Sequence, residues 1–263
     1  MKRALLVTCT LLLTALHARA AEETVSYKSG AETVSGFLVA PQAKRFFTPD
    51  ASGRMVEGVA VSPAVIVIQE WWGLDNWIKD QARALSKEGY VVLAVDLYRG
   101  KVADKQEDAH QLMMGTPRDR AIRDLKAAHA YLQGRADVNN AKIGAVGWCM
   151  GGMYTLALAV EEPTLAAAVA YYGAPPTDEA AIAKIKAPVL GNFGGDDKGP
   201  SPDQVKAFEA TMKKAGKTVD IKIYDGAPHA FANVNNPWKG YREDAAKDAW
   251  ARTTAFFARY LKK

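Results

Sequence analysis

The chain holds two cysteines and four histidines, so the few positions able to do thiol or imidazole chemistry are informative. One cysteine lies in Gly147-Trp-Cys-Met-Gly-Gly152, between a strand-like run, Lys142 to Gly147, and an apolar helix-like run, Tyr154 to Val160. Strand, small-residue turn with a nucleophile at its tip, then helix is a nucleophile elbow, here with Cys149 in place of serine. The glycines let neighbouring backbones approach with no Cβ between them, and the turn residue is held strained. Amides at the helix N-terminus point at the sulfur and favour its thiolate form. The chemistry implied is acyl transfer through a thiol.

A thiol nucleophile needs a base, and the base needs an orienting acid. In a sheet built around an elbow these follow in the order nucleophile, acid, histidine, each at the end of a later strand. His110 and His129 fall in helix-period segments ahead of the elbow, where surface or packing roles suffice. His229, in Gly226-Ala-Pro-His-Ala-Phe231, follows the last strand-like run and stands where the base belongs. The acid should follow the run Pro188 to Phe193, in Gly194-Gly-Asp-Asp197. Asp196 and Asp197 are both candidates, since pattern does not separate adjacent loop carboxylates, and either could instead close an Asx turn. Asp225 also follows a strand but is too close in sequence to His229.

Holding these groups together takes a mainly parallel sheet covered by helices on both faces, an α/β class, and the alternation of β-branched runs with helix-period segments supports it. Val25–Ser29 and Thr33–Val39 read as an opening pair of strands, and Ala43 to Pro63 as a polar excursion before the core. Strands are expected over Ala64–Gln69, Tyr90–Asp96, Ala167–Tyr172, Pro188–Phe193 and Val219–Tyr224. Helices are expected over Asp75–Glu88, Pro117–Gln133, Asp178–Lys184, Pro202–Ala215 and Tyr241–Leu261. No repeat or linker divides the chain, and Gly173 to Ala187 is too short to hold a lid domain.

Residues 1–20 read as a cleaved signal peptide: Lys2 and Arg3, then the apolar run Ala4 to Leu16, then Ala18-Arg19-Ala20. Residues 21–263 are then a single domain, periplasmic or secreted, with no membrane anchor after cleavage and expected as a monomer. Cleavage lowers the formal charge from +5 to +2, too weak a balance to argue for nucleic acid. Cys9 leaves with the leader, so Cys149 has no partner for an internal disulfide. There is no metal-ligand cluster, dinucleotide fingerprint or phosphate loop, so no cofactor and no metal are expected.

Taken together, Gln69-Glu-Trp-Trp-Gly73, Asp96-Leu-Tyr98, the Cys149 elbow, Tyr171-Tyr-Gly173, Gly194-Gly-Asp-Asp197 and Pro228-His-Ala-Phe231 resemble the dienelactone hydrolase (carboxymethylenebutenolidase) family of α/β hydrolases. The resemblance runs from about Val25 to the last helix. It implies that Cys149 is the nucleophile, His229 the base, and Asp197, not Asp196, the orienting acid. Glu70 matches a carboxylate that contacts the resting thiol and assists its activation, and the amides of Trp71 and Met150 match the oxyanion hole. Two positions depart from the pattern. Asn233 stands where an arginine helps to bind the substrate carboxylate. Arg99 stands near the place of a second such arginine, with the spacing off by one, and is a candidate anchor for the substrate carboxylate. Trp72, Tyr172 and Phe231, with Trp71, are candidates for an aromatic substrate pocket.

The activity implied is hydrolysis of small esters or lactones through a thioester. A thiol redox sensor or scavenger using Cys149 is the alternative from another class, weakened by the lack of a resolving cysteine. A silent binding scaffold is the third.

Overall fold

The computed structural model describes residues 21–42 and 45–263; the signal-peptide reading of residues 1–20, Cys9 included, lies outside them. An eight-stranded sheet runs in the order β1-β2-β6-β5-β7-β8-β9-β10. It comprises β1 (Ala21–Ser29), β2 (Glu32–Ala40), β5 (Ser62–Ile68), β6 (Val91–Val95), β7 (Val138–Trp148), β8 (Ala167–Tyr171), β9 (Val189–Gly194) and β10 (Val219–Tyr224). β1, β2 and β6 pair antiparallel, and every pairing from β6 through β10 is parallel. This is the α/β-hydrolase architecture, and all the parallel strands end at one edge.

Side-chain alternation along the central strands divides the core between the two faces. Ala64, Ile66 and Ile68 of β5, with Val91, Leu93 and Val95 of β6, face one cluster; Val65, Val67, Val92 and Ala94 face the other. The first cluster is covered by α3 (Arg118–Gln133), α4 (Met150–Glu161), α5 (Glu179–Lys184) and α6 (Pro202–Lys214), the second by α1 (Asn76–Lys87) and α7 (Glu243–Leu261). Because both faces are covered, these strands read as unbroken apolar runs. Helix starts carry their own signals. Asp75 caps α1 by accepting from the Ile78 amide at 2.9 Å, and Ser201 and Gln204 form a reciprocal capping box on α6.

Two segments differ from expectation. The stretch read as a polar excursion contains a hairpin, β3 (Arg45–Pro49) paired antiparallel with β4 (Met55–Val59) apart from the main sheet. Its turn is closed by Asp50, which accepts from the amides of Ser52 and Arg54. A further helix, α2 (Gln106–Met114), precedes α3; it is the helix-period segment around His110, and its ends are not marked in the sequence because Ala109 is its one buried residue, with Leu112 and Met113 only partly buried against the first cluster. Between β8 and β9 the chain holds only the short α5, and no lid domain is inserted among the described residues. None of the described helices is long and apolar enough to cross a membrane.

Candidate active site

Cys149 lies between the end of β7 and the start of α4 with φ 53° and ψ −117°, a conformation that costs a non-glycine residue free energy. The packing around the turn enforces it. A Cβ on Gly147 would stand 2.2 Å from the Gly151 carbonyl oxygen, and one on Gly151 would stand 2.2 Å from that of Ile68. Only glycine lets β5, β7 and the first turn of α4 meet this closely. The Cys149 amide donates to the Tyr171 carbonyl at 3.0 Å, which ties the turn to β8. Met150 is the first helical residue, so its amide has no intrahelical acceptor and points out of the helix end. Tyr98 steadies its side chain by donating to Sδ at 3.2 Å.

The loop after β10 carries His229, whose Nδ1 lies 2.8 Å from Asp197 Oδ2. Asp197 follows β9 and is buried, with Oδ1 accepting from the Gly199 amide at 2.8 Å. Asp196 is exposed and takes no part in this contact. Burial disfavours the His229 imidazolium, yet hydrogen bonds with Asp197 and Cys149, and the charges of both, outweigh it and push the pKa up to about 10. Asp197 and His229 thus form a hydrogen-bonded pair, and the His229 ring lines the same cavity as Cys149 at the elbow.

Glu70, just past the end of β5, is 2 % exposed. Tyr172 donates to its Oε1 at 3.2 Å and Asn233 donates from Nδ2 to its Oε2 at 2.7 Å. Burial raises its pKa to about 7, against the opposing hydrogen bond from Asn233, the positive charge of His229 and the bond from Tyr172. A carboxyl poised there can be ionised or neutral near neutrality.

These groups open onto a cavity of about 220 Å³ lined by Glu70, Trp71, Trp72, Cys149, His229, Ala230 and Trp238. The tryptophan wall is continuous, with centroids 5.2 Å apart for Trp71 and Trp72 and 6.0 Å from each to Trp238. Sequence reasoning missed Trp238. Its signal was an Asn-rich, Pro-containing loop directly after Phe231, and Asn236 anchors that loop by donating from Nδ2 to the carbonyls of His229 and Ala230, each at 3.2 Å.

Three expected substrate contacts are placed elsewhere. Arg99 pairs with Asp124 at 2.7 Å and Glu32 at 3.2 Å, and lines a separate cleft of about 730 Å³. The buried carboxylate of Asp124 holds the guanidinium away from the cavity beside Cys149. Tyr172 and Phe231 do not line that cavity either: both are fully buried, Tyr172 edge-on to His229 and Phe231 packed between Tyr172 and Tyr224. They form the wall behind the site. No cluster of three or more His, Cys, Asp and Glu side chains suited to a metal ion occurs among the described residues.

The family model described as the dienelactone hydrolase family matches residues 52–261. A Methylorubrum extorquens protein provisionally named carboxymethylenebutenolidase is 34 % identical over 212 residues, covering 75 % of this chain and 72 % of its own. A Bradyrhizobium protein, provisionally named a 2-oxo-3-(5-oxofuran-2-ylidene)propanoate lactonase, is 31 % identical over 226 residues, covering 81 % and 87 %. Among solved structures, a Klebsiella pneumoniae protein provisionally named dienelactone hydrolase superposes with a TM-score of 0.78 at 28 % identity, over 92 % of this chain and 100 % of that one.

Proposed function

The chain belongs to the dienelactone hydrolase family and is a hydrolase; from that premise we propose that it hydrolyses small esters or lactones with Cys149 as nucleophile, His229 as base and Asp197 as the acid that orients it. The observation that carries the reading is the Asp197–His229 pair, closed at 2.8 Å between Asp197 Oδ2 and His229 Nδ1, facing one cavity with a cysteine on a strained elbow.

The substrate carbonyl oxygen faces the amides of Trp71 and Met150. Cys149 Sγ attacks the carbonyl carbon as thiolate, and the two N–H groups take up the negative charge that develops on oxygen. Collapse of the tetrahedral intermediate breaks the ester C–O bond, and the departing oxygen receives the proton from the His229 imidazolium. A thioester on Cys149 remains. Water then gives a proton to His229 as its oxygen attacks the thioester carbon, and the second collapse releases the acid and restores the thiolate. Glu70, beside Cys149 on the cavity lining, assists activation of the thiol. Thiolate leaves easily, so the first intermediate tends to revert unless the alcohol leaves easily too. Activated esters and enol lactones are therefore favoured, and amides are poor substrates.

The leader read over residues 1–20 carries a proposal of location: the mature enzyme works in the periplasm or outside the cell, as a monomer, on a free small molecule. N-terminal sequencing of exported protein should return Ala21.

Mass spectrometry after mixing with an aryl ester tests the mechanism. An acyl adduct on Cys149, with turnover abolished in Cys149→Ala, is the expected result. A sulfenic acid on Cys149 without acylation would favour the redox alternative, and an inert thiol would favour a scaffold.

A further inference from the structure

Of the seven side chains lining the catalytic cavity, three are indoles and none is lysine or arginine. Trp71, Trp72 and Trp238 touch one another. Rings that close fill the space between themselves, so a ligand meets their shared outer surface and not a socket among them. Such a surface takes a flat apolar group by stacked or edge contact. Trp238 comes from a loop and is 49 % exposed, which leaves much of its ring free for that contact. About 220 Å³ has room for one small ring system.

The charges point the same way. Glu70 is on the lining and Asp197 stands behind His229. His229 is the one basic side chain on the lining, and Asp197 already engages it at 2.8 Å. Asn233 is buried, with Nδ2 on Glu70 and Oδ1 accepting from the Asn235 amide at 2.8 Å. Arg99 is held in another cleft by Asp124 and Glu32. A carboxylate on the substrate would thus meet carboxylates, with no further cation on the lining, where like charges repel more strongly than in water.

We propose that the natural substrate is a neutral ester or lactone bearing a flat unsaturated ring or conjugated acyl group, and that Trp238 is the residue that selects it. The proposal rests on the hydrolase reading above and names the substrate class of the same site.

Three probes separate the possibilities: a dienelactone carboxylate, its methyl ester, and a saturated aliphatic lactone. The first two share a ring and differ in charge. Steady-state kinetics of wild type, Trp238→Ala and Trp238→Phe should show kcat/KM for the methyl ester about tenfold or more above that for the carboxylate. Trp238→Ala should raise KM for the methyl ester about three- to tenfold, losing more on it than on the saturated lactone, with Trp238→Phe retaining most of the selectivity. Equal or better turnover of the carboxylate, or equal losses on both lactone types in Trp238→Ala, would overturn the inference and leave the hydrolase reading intact. If wild type with a free Cys149 thiol turned over none of the three, the hydrolase reading would fall and the inference with it.

Discussion

Asn233 donates a 2.7 Å hydrogen bond to Glu70, so the loop that carries His229 also grips the carboxylate at the end of β5. With Tyr172 on the other oxygen, both oxygens of a nearly fully buried carboxylate are satisfied. A neutral amide suffices to hold the group but adds no charge to the site. Burial therefore keeps the Glu70 pKa near 7 against the pull of the His229 charge, where a cation in place of Asn233 would lower it further.

Removing the amide should make that balance visible. A hydrogen bond to a charged group contributes about 1.5–3 kcal/mol, which corresponds to about one to two pKa units. Asn233→Ala should move the acid limb of the kcat/KM–pH profile upward by that amount, and Asn233→Asp, which adds a like charge, at least as far. A limb that stayed in place would show that some other group titrates there.

Glu70 also predicts an inverse relation between stability and function. Its folded pKa lies above its unfolded value, so its ionisation opposes folding: the stability linked to this group is full below about pH 4.5 and is lost as pH rises through about 7. Glu70→Gln keeps the shape and can still accept from Asn233. At pH 8 to 9 it should be more stable than wild type by about 2–3 kcal/mol, with little difference at pH 4 to 5. Denaturant melts across that range would check it, and hydrolysis should be slower in the variant throughout.

The central parallel strands were legible because burial on both faces makes them nearly continuous apolar runs, as in Val65 to Ile68, and because Asp75, Pro117 and Gly134 mark helix ends at the sequence level. The hairpin β3–β4 was not, since Phe46, Phe47 and Met55 are exposed and no alternation marks a buried face. At the site, strand order fixed which loops meet, so Cys149 and His229 could be placed by topology alone. The choice of Asp197 over Asp196 needed the family resemblance. What stayed hidden depends on side-chain contacts within one loop: Phe231 turns back onto Tyr224 while Trp238, seven residues on, swings over the cavity because Asn236 ties the loop to the His229 and Ala230 carbonyls. No periodicity encodes that exchange.

The adjacent aspartates offer a matched pair of variants. Asp197→Asn keeps the shape but removes the charge that favours the His229 imidazolium, so the His229 pKa should fall from about 10 toward its ordinary value. Stability drawn from the charged ring is full below about pH 6.5 and is lost on approach to pH 10; in the variant that loss should begin at lower pH. Turnover should drop about 10²- to 10⁴-fold. Asp196→Asn, at an exposed side chain, should leave kcat/KM within about twofold. An NMR titration of the His229 ring beside the kinetics reads both effects, and equal losses in the two variants would remove Asp197 from the proposed triad.

The elbow itself should carry a measurable conformational cost. Cys149 sits at φ 53°, a region that glycine enters freely and residues with a Cβ do not. Comparing Cys149→Ala with Cys149→Gly isolates that cost, because neither has the thiol and they differ by one methyl group. Elsewhere in a fold glycine is less stable than alanine by about 0.5–1 kcal/mol, because the unfolded chain gains freedom. Here relief of about 1–2 kcal/mol of strain should reverse the order and make Cys149→Gly the more stable by up to about 1 kcal/mol. Urea denaturation at matched pH resolves a difference of that size. If Cys149→Ala were the more stable, the turn would accommodate a Cβ without strain, and the packing of Gly147 and Gly151 alone would account for how the thiol is presented.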